Sequence, residues 1–187
     1  MSIYYILGEN VVEILKNNEK LVIRKACTDD AVNLNEMYRT IILETEHFGY
    51  EPDEFNITDE QQVHTINMFS QADNSILIVA TSNERVVGNL SFRTGSSKKF
   101  HHVGELGVQV LKDYWNLGIG KELIKYLIDW AKENKCIYKI SLRVRVDNEN
   151  AIHVYKELGF NEEGILRNEM LSKGTLYDLM YMGLMVN

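Results

Sequence analysis

Two cysteines, Cys27 and Cys136, are all this chain holds, and they stand far apart in it. They give neither the close spacing of a zinc or redox site nor enough bridges for a disulfide framework, so a reduced, cytoplasmic setting is expected. No stretch approaches the ~20 consecutive apolar residues that a bilayer crossing needs. The short apolar run at 3–7 has no basic residues before it and does not read as a secretion signal. Positive charge is in deficit, with 20 Lys and Arg against 27 Asp and Glu and a formal net charge of −7. A general binder of nucleic acid or of anionic membranes needs a basic face, and that deficit argues against both classes. Internal repeats and low-complexity segments are also missing.

What remains is a chain of 187 residues, 45% hydrophobic and 25% charged, which is globular in composition and of a size for one domain over 1–187. Its most informative stretch is 104–131, GELGVQVLKDYWNLGIGKELIKYLIDWA. A strand is expected over 106–110, then a short polar loop, then a helix opened by Gly118 and Gly120. From there Ile119, Leu123, Ile124, Leu127, Ile128 and Ala131 recur at helical spacing and make one apolar stripe. The first N–H groups of a helix have no intrahelical acceptor, and glycines let a ligand come close to them. With the helix dipole, that reads either as a phosphate or pyrophosphate cradle or as an ordinary turn. The common nucleotide motifs do not fit. A dinucleotide fingerprint requires a third glycine where Leu123 stands. A P-loop requires Ser or Thr where Glu122 stands and an earlier glycine where Trp115 stands.

Elsewhere the pattern alternates between strands and helices. Residues 1–18 read as two strands, or as a strand and a short helix, about a turn at Gly8-Glu9-Asn10, with Lys16-Asn17-Asn18 closing the segment. A strand over 21–26 leads to Thr28-Asp29-Asp30, an N-cap signal for a helix with Ala31, Leu34, Met37, Tyr38 and Ile41 on one face. An acidic segment follows at 44–54 with Glu44, Glu46, Glu51, Asp53 and Glu54, the aromatics Phe48 and Tyr50, His47 and the only proline, Pro52. Thr58-Asp59-Glu60-Gln61 is a capping box for a second helix. A hairpin over 75–92, the cradle strand and helix, an alternating strand over 140–146, a helix from Asn148 stopped at Gly159, and a hairpin around Ser172-Lys173-Gly174 complete the chain. The order is β-α-α-β-β-β-α-β-α-β-β after residue 18, an α/β fold with a mixed sheet.

The cradle resembles the acyl-CoA site of the GNAT N-acetyltransferases, in which a strand ending in valine is followed by Gln/Arg-x-x-Gly-x-Gly/Ala and a long helix. Val110, Gly118 and Gly120 match that pattern, and Trp115 departs from its Gln or Arg. A second block, DNENAIHVYKELGF, is similar to the family's Asn-x-x-Ala-x-x-x-Tyr-x-x-x-Gly-Phe at Asn148, Ala151, Tyr155, Gly159 and Phe160. The resemblance runs from about residue 21 to the end and leaves 1–18 as an extension outside it. The final hairpin, GILRNEMLSKGTLYDLMYMGLM, looks like the branch of ribosomal-protein and polyamine acetyltransferases. The resemblance implies a GNAT-like mixed, mostly antiparallel sheet with helices on both faces, acetyl-CoA as co-substrate, no metal, and room for a homodimer. It places the cofactor on Val108, Val110, Trp115, Asn116, Leu117, Gly118, Ile119, Gly120 and Lys121, with Asn148 and Tyr155 beside it. Lys112, Lys121 and Lys125 lie near the cradle in sequence, as phosphate partners or as solvated surface.

Acetyl transfer from a thioester to an amine requires deprotonation of the amine, polarisation of the carbonyl and protonation of the leaving thiolate. Tyr155 is the candidate acid by resemblance, and a core aromatic by position alone. Asn148 caps its helix, bonds the pantetheine arm, or does both. Glu105 on the cradle strand is the candidate base, although strand alternation leaves its direction open. His101, His102, Glu46 and Tyr50 are weaker alternatives. By resemblance the acidic segment forms a wall of the acceptor site, and carboxylates with aromatics suit a cationic amine; the other reading is a solvated loop. The expected function is N-acetylation of a small cationic, polyamine-like amine or of a peptide N-terminus. The alternative is a non-catalytic acyl-CoA-binding domain of the same fold.

Overall fold

A computed structural model describes residues 4–7, 10–14 and 19–187, with side-chain placement from residue 19 onward. Gly8, Glu9 and the Lys16-Asn17-Asn18 stretch, which the sequence reading treats as turns, lie outside the described residues. Among the described residues, nine strands form a single sheet in the order β1-β2-β3-β4-β5-β6-β7-β9-β8. The N-terminal segment resolves as two strands, β1 (Tyr4–Leu7) and β2 (Asn10–Ile14), paired antiparallel beside β3 (Lys20–Lys25). The hairpin β4 (Ile76–Ser82) and β5 (Arg85–Thr94) follows, then β6 (Val103–Val110), β7 (Lys139–Arg145), and the closing hairpin β8 (Asn161–Ser172) and β9 (Thr175–Met185). All neighbours pair antiparallel except β6 and β7.

Local chemistry explains the turns. Asn83 and Glu84, and Lys173 and Gly174, have positive φ at the two hairpin tips, as two-residue connections matched to the strand twist require. The capping box of helix α2 (Asp59–Ser70) forms as expected: the Gln61 N–H donates to Thr58 Oγ1 at 3.2 Å and the Thr58 N–H to Gln61 Oε1 at 2.9 Å. Helix α1 (Ala31–Glu44) differs from the expectation. A short 3₁₀ turn, Thr28–Asp30, precedes it, and the Asp30 carboxylate accepts from the Cys27 N–H at 2.8 Å instead of capping α1. Arg24 also holds that carboxylate, through two hydrogen bonds of 2.7 Å. Burial raises the Asp30 pKa, but the Arg24 and Cys27 bonds outweigh it and leave the group below its ordinary value.

Alternation along β5 sorts the helices onto two faces. Asn89 Nδ2 donates to the Tyr38 hydroxyl on α1, and the Arg93 guanidinium lies over Phe69 of α2. Phe92, on the other side of the strand, packs its ring edge-on against Trp130 of helix α3 (Ile119–Glu133). Helix α4 (Glu149–Glu157) shares the α3 side, joined to it by the Lys121–Glu157 ion pair at 2.9 Å. The six stripe residues of α3 are all buried against the sheet, as the spacing predicts.

Candidate active site

The expected cradle strand begins earlier than its apolar pattern suggests, at Val103, because Val103, Gly104 and Glu105 pair with Lys139, Ile140 and Ser141 of β7. There the parallel pairing ends, and the two strands part. Leu111 donates its N–H to Val87 on the β5 side, so by alternation Leu106, Val108 and Val110 turn their main-chain groups toward β7. The Ser141 hydroxyl donating to the Gly104 carbonyl at 2.9 Å marks the closed end of this seam. Among the described residues, no main-chain partner from β7 meets the last residues of β6. Residues from Gly107 to Val110 are only partly buried, although Gly104 and Leu106 before them are buried.

At the open end of the seam a loop carries the chain into α3. Trp115 donates its indole N–H to the Val110 carbonyl at 2.7 Å. Asn116 and Gly118 both take positive φ, +61° and +90°, which turns the chain sharply into the helix. A Cβ placed on Gly118 would meet nothing within 4 Å, and one on Gly120 would meet only Val110 Cγ2 at 3.9 Å. The helix start is therefore open to a ligand. Its N–H groups at Ile119, Gly120 and Lys121 precede the first helical bond, Glu122 N–H to the Gly118 carbonyl at 3.1 Å. This cradle fits a pyrophosphate by main chain, and two of the three nearby lysines carry carboxylate partners at the surface. Lys121 pairs with Glu157, and Lys125 with Glu122 at 2.7 Å.

Tyr155 lies on α4 with 8% of its surface exposed and its ring centroid 5.9 Å from that of Phe160. Its hydroxyl makes no hydrogen bond to a described residue, and burial pushes its pKa up to about 12. Asn148 takes the capping role, its Oδ1 accepting from the Ala151 N–H at 3.2 Å. Glu105 occupies the α1 and α2 face at the closed end of the seam. Arg143 donates its Nε–H to Glu105 at 2.8 Å, in a pair with side chains 44% and 42% exposed. His101 and His102 stay at the exposed strand start, His101 against the Ser96 carbonyl at 2.8 Å.

The 44–54 segment spans the same face, and most of its carboxylates are engaged. Glu44 accepts from the Lys112 N–H at 2.8 Å, Glu46 pairs with Lys173, Glu51 accepts from the Ser172 hydroxyl at 3.2 Å, and Glu54 accepts from the Glu51 N–H at 2.9 Å. The aromatics of the segment join a cluster with Tyr38 of α1 and Phe55, Phe48 packing against the core and Tyr50 half exposed. Tyr38, Phe48, Tyr50 and Phe55 contact one another at centroid distances of 5.6 to 6.0 Å. Two features here escape sequence reading. Asn89 is wholly buried in β5 and bonded to Tyr38, and its Oδ1 has no partner. Arg145 ends β7 over the Tyr177 ring at 3.5 Å, with Asp147 at 3.0 and 2.5 Å and the Glu46 carbonyl at 3.3 Å. The Asp147 hydrogen bonds raise the Arg145 pKa, and Arg145 in turn lowers that of Asp147. A polar residue within the apolar run 86–92 was the one available signal for Asn89. For Arg145 the sequence offers only Asp147 two residues on, because Glu46 and Tyr177 come from distant segments. An open hollow of about 440 Å³ lies between α1 and the start of β5, lined by Asn33, Met37, Arg39 and Arg85 among others, and contains none of the candidate site residues.

A mixed sheet that parts beside a glycine-opened helix, with a buried tyrosine on the following helix, is the arrangement that the resemblance to the acetyltransferases implies. Residues 35–160 match the model of the acetyltransferase (GNAT) family, and the chain belongs to that family. It is 32% identical over 105 residues to the L-amino acid N-acetyltransferase AaaT of Escherichia coli, a match covering 56% of this chain and 65% of that protein. Against the spermidine N(1)-acetyltransferase of Vibrio cholerae it is 32% identical over 82 residues, 44% of this chain and 47% of that one. The chain thus spans about half to two-thirds of the length of the curated relatives it matches. The crystal structure of a ribosomal-protein-alanine N-acetyltransferase from Brucella melitensis superposes with a TM-score of 0.78 at 26% identity, covering 87% of this chain and 98% of the other.

Proposed function

We propose that this chain is a single acetyltransferase domain that moves an acetyl group directly from acetyl-CoA to a primary amine, with β1 and β2 an added edge of its sheet. The observation that carries this reading is the seam. A strand whose main-chain groups lack partners on one side runs straight to a helix start whose amides are open, and the pantetheine and pyrophosphate parts of CoA need those two surfaces in that order. Main-chain groups of Val108 and Val110 would hold the arm, and the amides from Gly118 to Lys121 the pyrophosphate. CoA supplies the activated acetyl group; the residues of the chain bind, orient and move protons.

Tyr155 is the proposed acid. Raised to about 12, its phenol is fully protonated at neutral pH, and no described residue competes for its proton. Glu105 is the proposed base, its second carboxylate oxygen left to accept the proton of the amine directly or through water. The proposed acceptor is a primary amine on a small cationic molecule or a peptide N-terminus. The named relatives differ in this respect, acting on amino acids, spermidine or a ribosomal protein by their names, so the acceptor rests on the wall. Because most of its carboxylates are engaged and it carries an aromatic cluster with Tyr50 half exposed, the wall favours an amine that carries an apolar group, and so a peptide terminus over a bare polyamine.

The second reading, a non-catalytic acyl-CoA-binding domain, draws on the engagement of Glu105 by Arg143. Titration calorimetry with acetyl-CoA, then thiol release with a panel of polyamines, amino acids and short peptides, separates the two. Binding without thiol release from any amine would leave the binding domain; absence of binding would overturn both.

A further inference from the structure

We propose that Trp115 is a positioning residue whose indole N–H pins the pyrophosphate loop to the end of β6, an inference that rests on the acyl-CoA reading above. Trp115 stands directly after the 3₁₀ turn Lys112–Tyr114, its own N–H bonded to the Lys112 carbonyl at 3.1 Å. The indole reaches back over that turn to the carbonyl of Val110, the last residue of β6, at 2.7 Å. That carbonyl lies on the seam side, where it would otherwise be the outermost acceptor offered to a ligand arm.

Burial is a minor part of what this side chain does, since the residue is 42% exposed. The loop it begins has little else to hold it. Asn116 and Gly118 are both left-handed, and among the described residues no other side-chain hydrogen bond reaches 115–118. Val110 also abuts the helix start, its Cγ2 3.9 Å from the Cβ position of Gly120. Trp115 thus ties the loop that carries the helix amides back to the strand residue nearest them. Two consequences follow. The arm meets the N–H groups of Val108 and Val110 and the Val108 carbonyl free, and a Val110 carbonyl that already accepts one bond. The amides for the pyrophosphate are preorganised before the cofactor arrives, which spares the ordering cost on binding.

Trp115→Phe keeps a ring and removes the N–H. The probes are acetyl-CoA and S-acetylpantetheine, which has the arm and lacks the pyrophosphate. Loss of one such hydrogen bond corresponds to a rise of about three- to tenfold in the dissociation constant for acetyl-CoA. With S-acetylpantetheine, the loss in kcat/KM should be clearly smaller than with acetyl-CoA. An equal loss with both donors would make Trp115 an arm contact, and no loss with either would make the bond inert; both overturn the pin. A parent protein that does not bind acetyl-CoA would fell the acyl-CoA reading itself, a separate result. If the variant does not fold, NMR on the parent decides: slow exchange of the Trp115 indole proton at saturating acetyl-CoA supports a lasting pin, and fast exchange overturns it.

Discussion

Replacing Tyr155 by phenylalanine removes one oxygen from a site where nothing else depends on it. The hydroxyl makes no hydrogen bond to a described residue, so its loss leaves no orphaned partner, and the ring keeps its contact with Phe160 at 5.9 Å. Stability and acetyl-CoA affinity should therefore stay near those of the parent. Turnover should not. A positioned general acid contributes about 10²- to 10⁴-fold, and that is the expected loss in kcat, measured as thiol release at saturating acetyl-CoA and amine. Burial, which holds the phenol at about 12, adds a second readout. In the parent, the rate should rise with pH as the amine loses its proton, with no descending limb from Tyr155 below about pH 11. A Tyr155→Phe protein that binds acetyl-CoA and turns over within about a factor of two of the parent would return Tyr155 to a packing role.

Gly120→Val places a branched side chain at the open helix start without the positive φ of Gly118, so acetyl-CoA affinity should fall at least tenfold, or roughly 1.4 kcal/mol, in a folded protein; an unchanged calorimetric constant would refute the cradle. Asn148→Ala removes the cap on Ala151 and should cost about 0.5–2 kcal/mol in thermal or denaturant unfolding, and a greater drop in kcat than in stability would add a contact with the arm. Asp30, held below its ordinary pKa despite burial, should contribute stability that is present above its unfolded value near ~3.9 and lost as pH falls through its folded one. Parent and Asp30→Asn melting points should thus differ at pH 7 and converge under acid; a constant gap would place the effect in packing. Neutralising Glu46, Asp53 and Glu54 together should raise acceptor KM only modestly, since Glu46 and Glu54 already have partners, and a large rise limited to polyamines would restore a charged acceptor wall.

Signals carried by neighbours in sequence were legible. The stripe of α3 follows from 3.6-residue periodicity, and the Thr58–Gln61 capping box from a four-residue pattern, and both form as read. The glycines opening α3 fall where the spacing puts them. The element order after residue 18 also matches, because each strand and helix has its own period and its own stop. Partners far apart in the chain were not legible. Glu44 reaches Lys112 across 68 positions, Arg145 reaches the Glu46 carbonyl across 99, and Lys173 reaches Glu46 across 127. The sequence displays the charges of the 44–54 segment but not what neutralises them, so a run that looks poised for a cationic ligand is largely committed to the fold. Asp30 shows the same limit at short range: its type marks a cap, and Arg24 and Cys27 draw it one turn earlier.

The three-residue pairing of β6 with β7 has a consequence for how the molecule unfolds. The sheet is two antiparallel blocks, β1 to β6 and β7 to β9, stitched by a short parallel join. Such a join is the mechanical weak point of the sheet, and amides along the open part of β6 should exchange with solvent sooner than those of its neighbours. A cofactor arm lying in the gap would act as a stand-in strand across the break and bind the blocks into one cooperative unit. At a hundred times its dissociation constant, such a ligand adds about 2.7 kcal/mol to stability. Acetyl-CoA would then be a structural member of the sheet as well as a reactant, and release of the spent cofactor would be the moment in each cycle when the two blocks are least joined.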